Sequence, residues 1–226
     1  PDAERWLIDR LADCEEGPAR DGRVIAVMGA GAGSGASTFA STLALAAADR
    51  ALRVLLVDAD PLGGGLDVLL GLEDAPGIRW TDLAETRGRL GVQSLASSLP
   101  GGHGLSVLSW GRNAGAALSV EAMSAVLDAA ARGFDIVIVD LPRHLDGPTE
   151  VVLSRAETTL LVTSNRVRTT AAAARIVAEL DGRCSAVSIV LRVEPKGLRD
   201  HAVEDALSVP VVARVPCNSG VVFHDL

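Results

Sequence analysis

The chain has little lysine, few aromatic residues and few cysteines. Of its 226 residues 21 are basic, and Lys196 is the one lysine among them, so any mechanism that needs a lysine has a single candidate. Three Trp, three Phe and no Tyr are too few for a platform on which single-stranded nucleic acid stacks. Cys14, Cys184 and Cys217 are far apart and form no C-x-x-C pair. A disulfide framework or a zinc site is therefore not expected, and a reducing cytoplasm is the expected location.

Long apolar runs and an excess of positive charge are also absent. No apolar stretch approaches the roughly 18 residues of a membrane-spanning helix, and the first residues carry no secretory signal pattern. The formal net charge of −8 argues against a surface that binds polyanions. Nonspecific DNA binding through Arg166, Arg168 and Arg175 is conceivable but not favoured, because an ordinary solvated helix face explains these residues as well. With 48% hydrophobic residues, the composition supports a substantial core.

Short apolar runs alternate with longer Ala-rich segments along most of the chain. The runs are too short for helices, and most are rich in β-branched residues, as buried parallel strands are. They cover residues 24–28, 54–57, 105–108, 136–139, 159–162, 187–191 and 209–212. Helices are predicted near residues 37–50, 119–132, 167–180 and 199–207. This alternation predicts an α/β fold, in which a mostly parallel sheet of about seven strands is covered by helices on both faces as a three-layer sandwich.

Two segments fall outside the alternation. Residues 2–16 predict a helix with an apolar face that stops at a Gly-Pro pair, so residues 1–21 are interpreted as an N-terminal helix and linker. Residues 22–226 form the main predicted domain. Within it, residues 61–104 are less regular and contain two glycine clusters, and we interpret them as a mobile excursion over the sheet edge.

A glycine-rich turn follows the first predicted strand and leads directly into a helix. Its residues are Gly29, Ala30, Gly31, Ala32, Gly33, Ser34, Gly35, Ala36, Ser37 and Thr38. The missing side chains let backbone amides curl around an anion, and the helix N-terminus adds free amides and a positive dipole end. A phosphate site is therefore predicted. The turn alone fits either the G-x-G-x-x-A turn of a dinucleotide-binding Rossmann fold or a P-loop that ends in Gly35-Ala36-Ser37.

Acidic residues at two strand ends favour the P-loop. Asp58 and Asp60 follow the second predicted strand, and Asp140 ends the run at residues 136–139. A Rossmann fold needs one acid after its second strand, whereas a nucleoside triphosphatase needs carboxylates near Mg²⁺ and near the attacking water. Asp140 would then face the Ser37 hydroxyl, as the acid of a Walker B strand faces the P-loop. We therefore predict a P-loop NTPase-like sandwich.

These motifs resemble those of the MinD/ParA group of deviant Walker A ATPases. The resemblance rests on the turn at residues 29–38, on D-x-D-P at 58–61 and on VDLPR at 139–143, and it runs from about residue 22 to the end. Within the group, the stretches LLVDADPLGGGLDVLLG and VDLPRHLD are most similar to the Ssd-type septum-site-determining proteins and to CpaE-like pilus-localisation proteins. The resemblance implies ATP or ADP with Mg²⁺ as cofactors, a nucleotide-dependent homodimer, and protein partners in the division or pilus machinery. It also implies that residues 1–21 end a linker from a receiver-like domain.

The resemblance also implies a role for individual residues. Asp60 would orient the attacking water, Ser37 would bind Mg²⁺, and Asp58 and Asp140 would lie in or near the ligand shell of the metal. Pro216 matches a loop whose backbone contacts adenine. The residues that would wrap the phosphates are Gly31, Ala32, Gly33, Ser34, Gly35, Ala36, Ser37 and Thr38.

The sequence departs from the group at its lysines. The pattern K-G-G-x-G-K-[ST] has Gly31 and Ala36 at its two lysine positions here, and Leu191-Arg192 replaces the Asn-Arg pair that is usual in the adenine pocket. The loss of both lysines predicts weak nucleotide binding and feeble ATPase activity at most, unless an arginine substitutes. The candidates at strand ends are Arg112, Arg143 and Arg166. The basic amphipathic helix that MinD uses at membranes is not seen at the end of this chain, so direct membrane contact is not expected.

Three functions remain open at this point. The first is a spatial regulator of the MinD/ParA type that determines the septum site and switches its contacts with nucleotide. The second is a CpaE-like pilus-localisation factor that acts as a pseudo-ATPase scaffold. The third is a nicotinamide-dependent oxidoreductase on a Rossmann fold, which the turn at residues 31–36 also permits.

Overall fold

In the computed structural model, which describes residues 22–83, 88–111 and 117–216, the chain forms an eight-stranded sheet. The strands are β1 (Arg23–Gly29), β2 (Val54–Asp58), β3 (Gly101–Gly102), β4 (Leu105–Leu108), β5 (Ile136–Leu141), β6 (Thr158–Ser164), β7 (Val187–Val193) and β8 (Val211–Pro216). Their spatial order is β3-β4-β2-β5-β1-β6-β7-β8. All neighbouring pairs are parallel except β3 with β4. The predicted α/β fold with a mostly parallel sheet is confirmed.

Eight helices connect the strands in the described part of the chain. They are α1 (Ala36–Ala48), α2 (Leu66–Leu70), α3 (Trp80–Leu83), α4 (Val92–Ser98), α5 (Val120–Gly133), α6 (Gly147–Arg155), α7 (Val167–Leu180) and α8 (Asp200–Leu207). The side chains of Ser119 and Asp146 cap the first turns of α5 and α6 by accepting backbone hydrogen bonds. By contrast, α1 begins after Gly35 with no side-chain cap. Its first-turn amides are therefore available to another acceptor.

Helices cover both faces of the sheet, and each face has its own apolar core. Alternate residues of β1 point to opposite cores: Ala26 and Met28 pack beneath α5 to α8, whereas Val27 packs beneath α1 and α2. All three side chains are fully buried. Strands of this kind are apolar on both faces, which explains why the sequence shows uninterrupted apolar runs in place of alternation. The three-layer arrangement is as predicted.

The strand order decides between the two phosphate-binding folds. β5 lies between β1 and β2, and it pairs with both in parallel. In a dinucleotide-binding Rossmann sheet the first two strands are direct neighbours. The topology therefore does not match the oxidoreductase alternative. It also brings the carboxyl ends of β1, β2 and β5 together, with β5 in the middle.

The predicted strands and the four helices predicted within the described residues form, whereas four further helices were not predicted from the sequence. All seven predicted strands form, with β8 beginning two residues later than predicted, and β3 is an eighth strand of two residues. Interpreting residues 61–104 as a mobile excursion was wrong for the residues described there. They form α2, α3 and α4, and the side chains of Leu66 and Trp80 are buried in the two cores. These short helices were not predicted, because each has fewer than eight residues and is too short to show a clear periodic pattern of apolar residues.

The helix α6 was also missed, because its nine residues lie beside the VDLPR motif and bury few side chains. The helix predicted over residues 2–16 lies outside the described residues. Among the described helices, none has both the length and the apolar character to cross a membrane.

Candidate functional site

The glycine-rich loop forms an open concave turn between β1 and α1. Gly33 and Gly35 adopt the left-handed conformation, with φ of 69° and 83°, which other residues rarely adopt. A Cβ atom added at Gly31 or Gly33 would meet no other atom within 4 Å, so the loop has open space beside both positions. The conformation predicted for a phosphate-binding turn is therefore present.

Backbone amides of the loop provide donors for an anion. Within the loop, the Ser34 amide donates to the Gly31 carbonyl at 3.1 Å, and the Phe39 amide begins the helical pattern by donating to Gly35 at 2.9 Å. The amides at the start of α1 precede the first helical hydrogen bond and receive no side-chain cap. Free amides at a helix N-terminus, together with the helix dipole, bind phosphate groups in many proteins.

Arg192 holds the loop from outside, and this contact was missed from the sequence. Its guanidinium reaches from β7 and donates to the carbonyl oxygens of Gly33 at 2.8 Å and Ser34 at 3.0 Å. It also packs against Gly35, whose absent Cβ would lie 3.3 Å from the guanidinium. These hydrogen bonds fix two carbonyls of the loop. From the sequence, Arg192 is expected only beside an altered adenine pocket, and no local motif predicts its contact with the loop.

Carboxylates from two strands face the loop. Asp58 at the end of β2 and Asp140 in β5 are directly paired in register, and Asp140 is paired with Val27 on its other side. The Ser37 hydroxyl, from the first turn of α1, donates a hydrogen bond to Asp140. Ser37 and Asp140 thus lie opposite each other, as the sequence predicts.

The two strand-end carboxyls are strongly perturbed. Burial raises the pKa of Asp140 to about 7; the Ser37 hydrogen bond opposes this rise, and the neighbouring carboxylates of Asp58 and Asp60 add to it. Burial likewise raises the pKa of Asp58 to about 6. The hydrogen bonds that Asp58 accepts from the backbone amides of Leu66 and Asp60 oppose this rise. Neither carboxylate forms an ion pair with a basic side chain among the described residues. Buried negative charge without a cation is the environment that a metal ion relieves.

The hydrogen bonds of Asp58 show that it also organises the following loop. Its Oδ1 accepts from the amide of Asp60 at 3.1 Å, and its Oδ2 accepts from the amide of Leu66 at 3.0 Å. Its backbone carbonyl accepts from the indole N–H of Trp80 at 2.7 Å. Asp60 in turn accepts from the amide of Leu62 at 3.0 Å. Asp58 therefore fixes the position of Asp60 at the mouth of the site.

Behind Asp58 lies a buried polar cluster that the sequence did not reveal. The Ser109 hydroxyl lies between the Asp58 and Asp67 carboxylates, 3.4 Å from the first and 2.9 Å from the second. Arg79 lies 3.7 Å from Asp67 and donates to four backbone carbonyls of residues 72–78. Asp67, Arg79 and Ser109 are all buried. The cluster ties the segment after β2 to the floor of the site.

The loop and the carboxylates line two adjoining cavities. One, of about 320 Å³, lies along the glycine loop and reaches Pro142 and Arg143. The other, of about 290 Å³, extends over residues 63–66 and is lined by Asp58. Both are lined by Ser37, Thr38, Asp60 and Asp140. Together they offer space of the size that small-molecule ligands occupy.

The residues present fit a magnesium ion held jointly with a phosphate group. Mg²⁺ prefers oxygen ligands and usually takes only one or two from the protein, the others being water and substrate phosphates. The Ser37 hydroxyl and the Asp140 carboxylate are such oxygens. No group of three or more acidic, histidine or cysteine side chains encloses a metal site in residues 22–83, 88–111 and 117–216. The donor set therefore suits a metal that arrives with a nucleotide, and not a metal held by the protein alone.

Other predicted site residues lie apart from these cavities. Pro216 ends β8, paired with Val193 at the same edge of the sheet, but it lines neither cavity. Arg166 forms an ion pair with Glu194. Lys196 lies in the connection after β7 and is exposed. Arg112 lies outside the described residues.

Comparison with known protein sequences finds relatives of two kinds. No protein-family model matches the chain. An uncharacterized protein of Mycobacterium tuberculosis is 42% identical over 217 residues, which are 94% of this chain and 61% of that protein, so the chain spans less than two thirds of this relative's length. A protein of Emiliania huxleyi, assigned the name septum site-determining protein MinD, is 24% identical over 208 residues, covering 88% of this chain and 76% of that protein.

Solved structures with the same architecture are ParA and MinD ATPases. A ParA family ATPase from Chlorobium tepidum has a TM-score of 0.78 at 22% identity, covering 87% of this chain and 84% of its own. MinD from Pyrococcus horikoshii, solved with Mg-ADP, has a TM-score of 0.71 at 19% identity over 86% of this chain and 81% of its own. MinD of Aquifex aeolicus, in a complex with MinC, has a TM-score of 0.69 at 23% identity with the same two coverages. At these identities the likeness establishes the fold, which is that of the MinD/ParA P-loop NTPases.

Proposed function

We propose that this chain, which has the MinD/ParA fold, is a nucleotide-dependent spatial regulator of the septum-site-determining type with a degenerate, lysine-less P-loop. The observation that carries the proposal is the arrangement at the carboxyl ends of three adjacent strands. There the open loop at residues 29–38 faces Asp140, whose carboxylate accepts a hydrogen bond from the Ser37 hydroxyl. Asp60 lines both cavities. Such a site offers phosphate, metal and water positions within one space.

The proposed roles follow from this arrangement. Residues 31–38 surround the phosphates with backbone amides, and Ser37 and Asp140 hold Mg²⁺, which when bound neutralises charge on the phosphate oxygens. Asp60 orients the attacking water, since its carboxylate is held at the cavity mouth by the turn that it forms with Leu62. Asp58 supports both groups through its hydrogen bonds to the amides of Asp60 and Leu66. In this proposal the loop is a deviant Walker A motif, and Pro216 belongs to the adenine side.

Weak hydrolysis belongs to the proposal. A lysine that contacts the β- and γ-phosphates makes a charged hydrogen bond worth about 1.5–3 kcal/mol, or about one to two decades in affinity. Small residues replace it at Ala36 and at Gly31. Backbone donors and the magnesium site are unaffected by these replacements. We therefore expect binding of Mg-ATP and Mg-ADP with slow turnover.

A septum role is supported by names among the relatives and by exposed apolar groups near the site. One relative has the assigned name septum site-determining protein MinD, and one structural neighbour is MinD in complex with MinC. Leu62 and Val68, in the segment after Asp60, are 89% and 58% exposed. Because this segment is hydrogen-bonded to Asp58, we propose that a bound nucleotide alters the contacts of the segment with a second copy of the chain or with division proteins in the cytoplasm.

Thermal unfolding with different ligands tests the nucleotide site. The purified 226-residue chain is melted with Mg-ATP, Mg-ADP, NAD⁺ or no ligand, alongside Ser37→Ala and Asp60→Ala variants. We expect a higher melting temperature with either magnesium nucleotide, a loss of this gain in Ser37→Ala, and no gain with NAD⁺. An unchanged melting temperature with Mg-ATP at millimolar concentration would contradict the proposal.

A pseudo-ATPase scaffold, as in a CpaE-like pilus-localisation factor, is the second candidate. The absence of lysine from the loop favours it. Light scattering during addition of Mg-ATP separates the two functions, since the regulator is expected to dimerise and the scaffold to keep its mass. In the native host, loss of a septum regulator changes the position of division sites. Loss of a pilus factor leaves division unchanged and alters the pili.

A further inference from the structure

The proposed nucleotide site has more negative than positive side chains. Asp58, Asp60 and Asp140 line its cavities, and the phosphates of a nucleotide add further negative charge. The single lysine of the chain lies elsewhere, after β7. A magnesium ion and backbone amides offset part of this charge. A cationic side chain that reaches the phosphates would offset more, and in a P-loop this group is normally a lysine.

Among the described residues, Arg143 is the basic residue that lines one of these cavities, the one along the glycine loop. It follows Asp140 by three residues, directly after the end of β5. Because β5 lies between β1 and β2, its outgoing segment leaves the sheet between the glycine loop and Asp60. The register places Leu141 beside Met28, one residue before the start of the loop. Arg143 therefore lines the cavity along the glycine loop from the end of β5.

The side chain of Arg143 is available, and its backbone is fixed. Arg143 is exposed, and among the described residues it takes part in no ion pair or hydrogen bond. Just before it Pro142 is buried, and just after it α6 is capped by Asp146, which accepts from the Thr149 amide at 2.9 Å. A fixed backbone limits the conformational entropy that a side chain loses on binding a ligand.

Other arginines near the loop already have partners. Arg166 is paired with Glu194, and Arg192 donates to the carbonyls of Gly33 and Ser34. Moving Arg192 onto a phosphate would break two hydrogen bonds that shape the loop. Arg143 would break none of the contacts described.

We infer that the Arg143 guanidinium binds the β- and γ-phosphate oxygens of the nucleotide and takes the place of the missing P-loop lysine. A guanidinium offers several donors in a fixed plane and binds phosphate oxygens in pairs, which suits approach from the side of the phosphate chain. This inference rests on the proposed function, because it requires that a nucleotide occupies the cavities. It assigns the recognition of the terminal phosphates to the β5 side of the site.

Affinities for nucleotides that differ in phosphate number test the inference. Isothermal titration is done with Mg-ATP, Mg-ADP and AMP on the wild type, Arg143→Ala and Arg143→Lys. The matched control is Arg175→Ala, an exposed arginine on α7 that lines neither cavity. We expect Arg143→Ala to weaken Mg-ATP about 10- to 100-fold and leave AMP unchanged. Arg143→Lys should recover part of the loss, and Arg175→Ala should match the wild type.

Chemical protection gives a second readout that does not depend on turnover. Phenylglyoxal modifies exposed guanidinium groups, and mass spectrometry reports each modified residue. We expect Mg-ATP to slow modification of Arg143 and not of Arg175. Equal affinity of the wild type and Arg143→Ala for Mg-ATP, or an equal loss for AMP, would overturn the inference while leaving the nucleotide site intact. Failure of the wild type to bind Mg-ATP at all would overturn the proposed function and, with it, this inference.

Discussion

Replacing Asp140 by Asn should stabilise the ligand-free protein, and the gain should grow with pH. Burial raises the pKa of the Asp140 carboxyl from 3.8 to about 7 in the folded chain. Between these values the folded state binds a proton that the unfolded state has released. The free energy of unfolding must then fall as the pH rises through this window. Folding takes up a proton there, and this uptake becomes less favourable as the proton concentration falls.

The size of the effect follows from the same pKa difference. A carboxyl with a pKa near 7 in the folded state and 3.8 when unfolded costs about 4 kcal/mol of unfolding free energy at high pH, at about 1.4 kcal/mol per pKa unit. More than half of this loss falls between pH 5 and pH 8. An Asn side chain keeps an oxygen that can accept from the Ser37 hydroxyl and carries no charge. The variant should therefore lose this part of the pH dependence.

Urea unfolding at several pH values measures the effect. The wild type, Asp140→Asn and the control Asp205→Asn, an exposed acid on α8, are compared between about pH 5 and pH 8. The wild type and Asp140→Asn differ at this one carboxyl, so the difference between their pH profiles reports on Asp140 and its coupling to Asp58. We expect that difference to increase by about 2 kcal/mol or more across the range. Parallel pH profiles for the wild type and Asp140→Asn would refute the reasoning.

Three further changes test the contacts around the site. Arg79→Ala should cost at least about 3 kcal/mol in urea unfolding, because it leaves the buried Asp67 carboxylate without its cation; a cost below about 1 kcal/mol would contradict this. Arg192→Ala should weaken Mg-ATP binding several-fold by titration while shifting the melting temperature little, since the partly exposed guanidinium acts mainly on loop carbonyls. Trp80→Phe should cost about 1–2 kcal/mol through the lost hydrogen bond to Asp58 and should reduce any fluorescence change on Mg-ATP addition; an unchanged response would contradict a link between Trp80 and the site.

The sheet could be predicted from the sequence because its signals are local. β5 is an unbroken apolar run that ends in an acid, and α1 follows a cluster of glycines, so both elements and their junctions can be found by inspection. The facing of Ser37 and Asp140 follows from the rule that ligands bind at the carboxyl ends of parallel strands. These parts of the site need no knowledge of distant contacts.

The parts of the fold and of the site that the sequence did not predict depend on contacts between residues far apart in the chain. Arg192 meets the loop across about 160 positions, and nothing in its neighbours distinguishes it from other strand arginines. Residues 61–104 are held by Leu66 and Trp80 in separate cores, and by Arg79, which satisfies carbonyls within its own segment. Their glycines and short helices give a weak periodic pattern, so tertiary packing, and not local propensity, orders the segment.

The absence of lysine from the glycine loop can be understood from where the basic side chains around the site lie. In a lysine-bearing P-loop, the cation that contacts the terminal phosphates comes from the same loop as the backbone donors. Here the loop has no basic side chain, Arg192 donates to the loop carbonyls, and Arg143 lines the same cavity as Asp140. A cation on the β5 side would lie close to both the proposed metal and the proposed phosphates, because Arg143 follows Asp140 of β5 by three residues. If Arg143 binds the terminal phosphates as we propose, the loss of the lysines transfers this recognition from the loop to the segment after β5 and does not abolish it.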